Sequence, residues 1–177
     1  WLVENSATTP SAYDTAEPTL VTVDLADDGG TAVTIENPRK PGSVTVVKVD
    51  DSNADPDLAN PVDGATFALY TATDETGFDD SVETAITGAT CDTATDAEAG
   101  TAGQCVISDL DWGTYWLVET VVPEGYYGAD PVLVTIDGTT RDITTDPIVD
   151  PIRFKVVTFV CDNQNHLVAG DVAYTVG

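Results

Sequence analysis

The feature that most constrains this chain is an internal repeat. Trp1-Leu2-Val3-Glu4 recurs as Trp116-Leu117-Val118-Glu119. After a short gap the two copies run in register at a spacing of 113 residues. Pro10 then matches Pro123, Tyr13 matches Tyr126, and Pro18-Thr19-Leu20-Val21-Thr22-Val23-Asp24 matches Pro131-Val132-Leu133-Val134-Thr135-Ile136-Asp137. Ile35-Glu36-Asn37-Pro38 matches Ile148-Val149-Asp150-Pro151. A fixed period of this kind marks repeated structural units. It divides the chain into the back of one module (1–41), one whole module (42–151) and the front of a third (152–177). Pro38-Arg39-Lys40-Pro41-Gly42 reads as a linker stiffened by its prolines.

Within this frame the local signals are those of strands. Short Val/Thr/Ile runs bounded by Gly, Pro and Asp fall at Ser43–Val49, Thr66–Tyr70, Gln104–Ile107, Thr114–Thr120, Val132–Ile136 and Ile152–Val160. No stretch sustains a helical period, and Thr76–Thr87 holds one short turn at most. The expected class is all-β, a sandwich or partly open barrel. Apolar residues make up 42 % of the chain, enough for a packed core, yet no apolar run is long enough to cross a bilayer. Trp1 stands where an initiator Met would, and neither signal peptide nor sorting tail is visible, so a fragment of a longer protein is expected.

Charge narrows the functional classes. Asp and Glu number 31 against 6 Lys and Arg, a net charge of −25. Phosphate backbones would be repelled, which excludes nucleic-acid binding. Such a surface resists self-association and suits high salt, where screening weakens the self-repulsion. Lysine occurs only at positions 40, 48 and 155. A lysine within a strand is therefore conspicuous.

Three segments carry a resemblance. Gly42-Ser43-Val44-Thr45-Val46-Val47-Lys48-Val49-Asp50 resembles the first strand of a Cna B-type (SpaA-like) repeat of Gram-positive surface proteins. Pro61-Val62-Asp63-Gly64-Ala65-Thr66-Phe67-Ala68-Leu69-Tyr70 resembles the second strand. Gly113-Thr114-Tyr115-Trp116-Leu117-Val118-Glu119-Thr120, followed by Pro123-Glu124-Gly125-Tyr126, resembles the family's G-x-Y-x-L-x-E-x-x-x-P-x-G-Y box. The resemblance implies Ig-like or prealbumin-like β-sandwich modules in tandem. It also implies an intramolecular isopeptide bond, with Lys48 as nucleophile, Glu119 as catalytic acid/base and Asp150 as acceptor. Asp146, which also precedes a proline, is the alternative acceptor. Asp150 is preferred because the repeat pairs it with Asn37.

The chemistry suits those residue types. An ammonium has no lone pair, and the acceptor carboxyl must be protonated before its carbonyl can be attacked. Burial disfavours the charged form of both kinds of group. A neighbouring Glu can shuttle protons, and enforced contact supplies a high effective molarity. Parity along the strands places Lys48 with Val44 and Val46, Glu119 with Tyr115 and Leu117, and Asp150 with Ile148. A solvated strand lysine and an unrelated glutamate form the structural alternative. The first module offers Glu4 and Asn37, with its lysine expected before Trp1. In the third, Cys161 falls where Lys48 stands in the second, and Lys155 lies too early on its strand. No such bond is expected there.

The resemblance implies secretion, which makes a Cys91–Cys105 disulfide the expected pairing; two free or separately paired thiols are the alternative. Closing that loop would stabilise by about 3 kcal/mol on the chain-entropy model. Cys161 is expected to pair with a cysteine beyond Gly177. Other features carry less. The loop Asp50–Asp57 has alternating oxygens but lacks the Gly and distal Glu of a calcium-binding EF-hand, and reads as a solvated loop. His166 sits among polar turn residues. No metal or cofactor is expected. The expected function is a non-enzymatic stalk or spacer module, secreted or anchored to a cell wall, whose partners are adjacent modules of the same protein. The alternative is an adhesin module for carbohydrate or host matrix, with Trp112, Trp116, Tyr126 and Tyr127 as a platform; Trp116 and one of the tyrosines fit core or inter-module contacts better.

Overall fold

Strand β1 (Gly42–Asp50) sets the frame, because its alternation is unambiguous. Val44, Val46 and Lys48 point inward with no exposed surface, while Ser43, Thr45 and Val47 are partly exposed. A period of two means one face of the strand lies on a core. The structure is a computed structural model, and it describes residues 1–22, 32–94, 101–154, 158–161 and 167–170.

The remaining strands are β2 (Thr66–Thr71), β3 (Ala85–Asp92), β4 (Gln104–Leu110), β5 (Gly113–Val121), β6 (Val132–Ile136), β7 (Asp142–Thr144), β8 (Ile148–Asp150), β9 (Thr158–Cys161) and β10 (Leu167–Gly170). One sheet runs β4-β1-β7, with β8 continuing alongside β1; the other runs β3-β2-β5-β6. Val44, Val46, Phe67, Leu69, Leu117 and Ile136 fill the space between them. The only helical elements among the described residues are two 3-10 turns, Ser6–Thr8 and Pro56–Leu58. The expected all-β sandwich is what the chain forms.

Two features of topology matter for function. First, β1 pairs antiparallel with β4 but parallel with β7 and β8, with Lys48 opposite Ile148 and Asp50 opposite Asp150. The first and last strands of the sandwich therefore run the same way, and Gly42 and Pro151 emerge at opposite ends. Second, a Cys91–Cys105 disulfide joins β3 of one sheet to β4 of the other, with both cysteines buried. It ties the β3 and β4 edges of the two sheets together, where no β-ladder joins them.

Strand β3 was not legible in the sequence, and β7 and β8 showed only as short segments before Asp146 and at Ile148–Asp150. β3 reads Ala-Ile-Thr-Gly-Ala-Thr-Cys-Asp and lies at a sheet edge, largely exposed, with Gly88 at φ +80°. It lacks the dense β-branched run that marks a central strand. β7 and β8 are three residues each and flank Pro147. The expected strand Ile152–Val160 differs in the structure. Ile152 forms an isolated bridge with Tyr126 and donates its N–H to Asp51 Oδ1 (3.0 Å), and among the described residues Thr158–Cys161 (β9) pairs with β10. Lys155 and His166 lie outside the described residues.

Candidate functional site

Lys48 is among the largest fully buried side chains of the protein's described residues. The alternation of β1 leaves it no outward option, and a buried ammonium needs partners. Asp150, on the neighbouring β8, supplies the first: its Oδ1 contacts Lys48 Nζ directly, and it too has no exposed surface. Glu119 comes from β5 in the opposite sheet. Its Oε2 lies 3.8 Å from Lys48 Nζ, and its side chain is 1 % exposed. The Ile148 carbonyl accepts from Lys48 Nζ at 3.4 Å, and the Phe67 ring closes the floor 5.9 Å from the nitrogen. Thus three ionisable groups from three strands meet in a site without water-facing surface.

The electrostatics single out Glu119. Burial pushes its carboxyl up to about 7, against a hydrogen bond donated by the Ala129 N–H (2.9 Å) and the charge of Lys48, while the adjacent Asp150 raises it further. A carboxyl poised near neutrality can hold or release a proton under ordinary conditions. Glu4 provides the contrast. Its Oε1 accepts from Asn37 Nδ2 (2.7 Å) and its Oε2 from the Ala16 N–H (2.8 Å), which together hold its carboxyl below the usual range. Ala16 and Ala129 stand at the repeat spacing, as do Asn37 and Asp150. The two glutamates occupy equivalent hydrogen-bonding positions, and only one is buried beside a lysine.

The other candidates fall elsewhere. Asp146 is exposed and lines an open groove between β6 and β7. The Asp50–Asp57 carboxylates serve the turn itself: Asp50 Oδ1 accepts from the N–H groups of Ser52 and Asn60 (3.1 Å each), and Asp55 Oδ1 accepts from the Asp57 N–H (3.2 Å). No group of His, Cys, Asp and Glu arranged to hold a metal occurs among the described residues. The four aromatics do not form one platform. Trp116 is buried, packs edge-on to Phe78 and donates its Nε1–H to the Asp74 carbonyl (3.3 Å). Trp112 precedes β5, whereas Tyr126 and Tyr127 follow it, so they sit at opposite ends of a strand about 30 Å long. Sequence reasoning missed the Ala129 N–H that orients Glu119 and the Phe67 floor. The repeat register, matching Ala16 to Ala129, is the signal that could have found the former.

The two-sheet sandwich that holds this buried triad is a prealbumin-like domain. The chain belongs to the SpaA family of prealbumin-like fold domains, whose family model matches residues 42–147. Among solved structures, the minor pilin GBS52 of Streptococcus agalactiae is 23 % identical, with a TM-score of 0.45, over 69 % of this chain and 50 % of that one. The shaft pilin SpaA of Lactobacillus rhamnosus GG is 17 % identical, with a TM-score of 0.49, over 67 % and 53 %. The major pilin SpaD of Corynebacterium diphtheriae is 20 % identical, with a TM-score of 0.48, over 68 % and 32 %. This chain thus spans about half the length of the first two and about a third of the last. No curated protein matches. Among the described residues, no helix is long and apolar enough to cross a membrane.

Proposed function

We propose that this chain is a load-bearing, pilin-like stalk segment of an extracellular surface protein, built of tandem modules and locked by a Lys48–Asp150 isopeptide bond. Residues 42–151 form the complete module, 1–41 the end of a preceding one and 152–177 the start of another. The observation that carries the reading is the direct Lys48 Nζ to Asp150 Oδ1 contact, fully buried, with Glu119 Oε2 at 3.8 Å.

The reaction balances without a cofactor. Neutral Lys48 Nζ attacks Cγ of the protonated Asp150 carboxyl, and the C–N bond forms. Protonated Glu119 hydrogen-bonds to the acceptor oxygen and stabilises the tetrahedral intermediate. Glu119 then relays the amine proton to the departing hydroxyl, and the C–O bond breaks with release of one water. Enforced proximity makes a single slow turnover sufficient. The module is a structural element that acts once on itself, not an enzyme. Glu4 and Asn37 are the matching acid and acceptor of the preceding module, where an Asn acceptor would release ammonia.

Parallel β1 and β8 give the bond its mechanical sense. Tension entering at Gly42 and leaving at Pro151 shears these neighbouring strands, and a covalent tie between them carries the load past the rest of the sandwich. Intact mass under denaturing conditions tests the reading. The protein should weigh one water less than its disulfide-oxidised sequence, and Lys48→Ala or Glu119→Ala should each weigh the full amount for its own sequence. Full mass in the folded wild type refutes the bond.

A further inference from the structure

The linker ahead of β1 is held far more firmly than its two prolines require. Tyr13 and Arg39 form a β-bridge, in which the Lys40 N–H donates to the Ala12 carbonyl (3.0 Å) and the Asp14 N–H to the Pro38 carbonyl (2.8 Å). Trp112, in the turn between β4 and β5, grips the same linker from the other side. Its Nε1–H donates to the Lys40 carbonyl at 2.9 Å. The Arg39 guanidinium lies 4.9 Å from its ring centroid, and the Tyr13 ring meets it edge-on at 5.3 Å. Gly138 makes room for the indole, since a Cβ there would come within 2.8 Å of the ring.

The backbone half of this clamp occurs twice. At the far end of the sandwich Tyr126 bridges Ile152, the Arg153 N–H donates to the Gly125 carbonyl (2.7 Å) and the Tyr127 N–H to the Pro151 carbonyl (2.8 Å). Each of these residues lies 113 positions after its counterpart at the first clamp. A device repeated at the module period belongs to the junction rather than to either body.

We propose that Trp112 is an inter-module docking residue. It receives the linker of the preceding module, with Arg39 and Tyr13 as the recognised side chains, so that the junction is a clamped joint instead of a free swivel. The contact suits the chain's charge: Arg39 is one of only six Lys and Arg residues, and an indole face binds a guanidinium without needing an acidic partner. The inference rests on the tandem-module reading, but not on the isopeptide bond.

Limited trypsin digestion of the whole chain tests it. The Arg39–Lys40 bond is the cleavable position in the linker, because Pro41 blocks the next one. Cleavage of a closed segment follows its opening equilibrium. Tyr13→Ala and Trp112→Ala should each speed cleavage at Arg39 by about tenfold, the factor expected from losing a ring contact or a hydrogen bond with its cation–π partner. Cleavage after Arg153, at the second clamp, should not change. Trp112 also packs on the sandwich core, so Tyr13→Ala, which lies outside residues 42–151, decides the case if Trp112→Ala does not fold. Wild-type rates at Arg39 in Tyr13→Ala, or a wild-type linker cut as fast as an unfolded peptide, overturns the proposal. Intact mass measured on the same samples reports the cross-link separately, so loss of one reading leaves the other standing.

Discussion

Pulling the module from its two ends gives the most direct measure of where load travels. Lys48→Ala removes the proposed covalent shortcut, and residues 42–151 should unravel. About 110 residues at ~3.4 Å each span roughly 370 Å, and removing ~30 Å for the folded length leaves a step of about 340 Å. The disulfide shortens this. Cys91 and Cys105 are separated by 14 residues, which stay hidden while the bond is intact, so the step falls to about 290 Å under oxidising conditions. Adding reductant should lengthen the variant's step by about 50 Å. The wild type should give no step in either condition, because both cysteines lie between Lys48 and Asp150 and so off the load path. Single-molecule force spectroscopy with the chain between marker domains reads both lengths. A wild-type step near 290 Å that grows on reduction refutes the reasoning, since it places the load through the sandwich instead of through β1 and β8.

Further outcomes follow from the same geometry. Cross-link formation during refolding, followed by quenched intact mass, should slow as pH rises from 6 to 9: Glu119 is protonated below about 7 and ionised above it, and only the protonated form stabilises the acceptor oxygen. A rate that climbs through pH 7 would instead make deprotonation of the lysine limiting. Glu119→Gln should fold but remain at full mass for its sequence, because an amide can hydrogen-bond yet cannot relay the proton. Asp150→Asn should still close the bond with loss of ammonia in place of water, whereas Asp146→Ala should leave the cross-link unchanged; the reverse pattern moves the acceptor to Asp146. Replacing both Cys91 and Cys105 by Ser should lower stability by about 3 kcal/mol in denaturant titrations of the Lys48→Ala background, where the proposed isopeptide cannot form and mask unfolding.

The sequence by itself determined the class of fold, the repeat and the identity of the residues worth watching. Period-two runs located β1, β2, β4, β5 and β6 to within a few residues, because strands that bury one face must alternate. It also put Lys48 on the core side with Val44 and Val46, since parity is a local property of the backbone. What it could not yield were the edges. β3 is a small-residue edge strand, and β7 and β8 are too short to show a period, so their pairing is decided by what they meet across the sheet. The tertiary structure alone brought β8 alongside β1, which separates a buried Asp150 at Lys48 from an exposed Asp146. It alone set the proton affinity of Glu119 apart from that of Glu4, although both sit in the same sequence motif and accept equivalent backbone hydrogen bonds. The difference is desolvation beside a second carboxyl, a property of the packed site that no run of residues encodes locally.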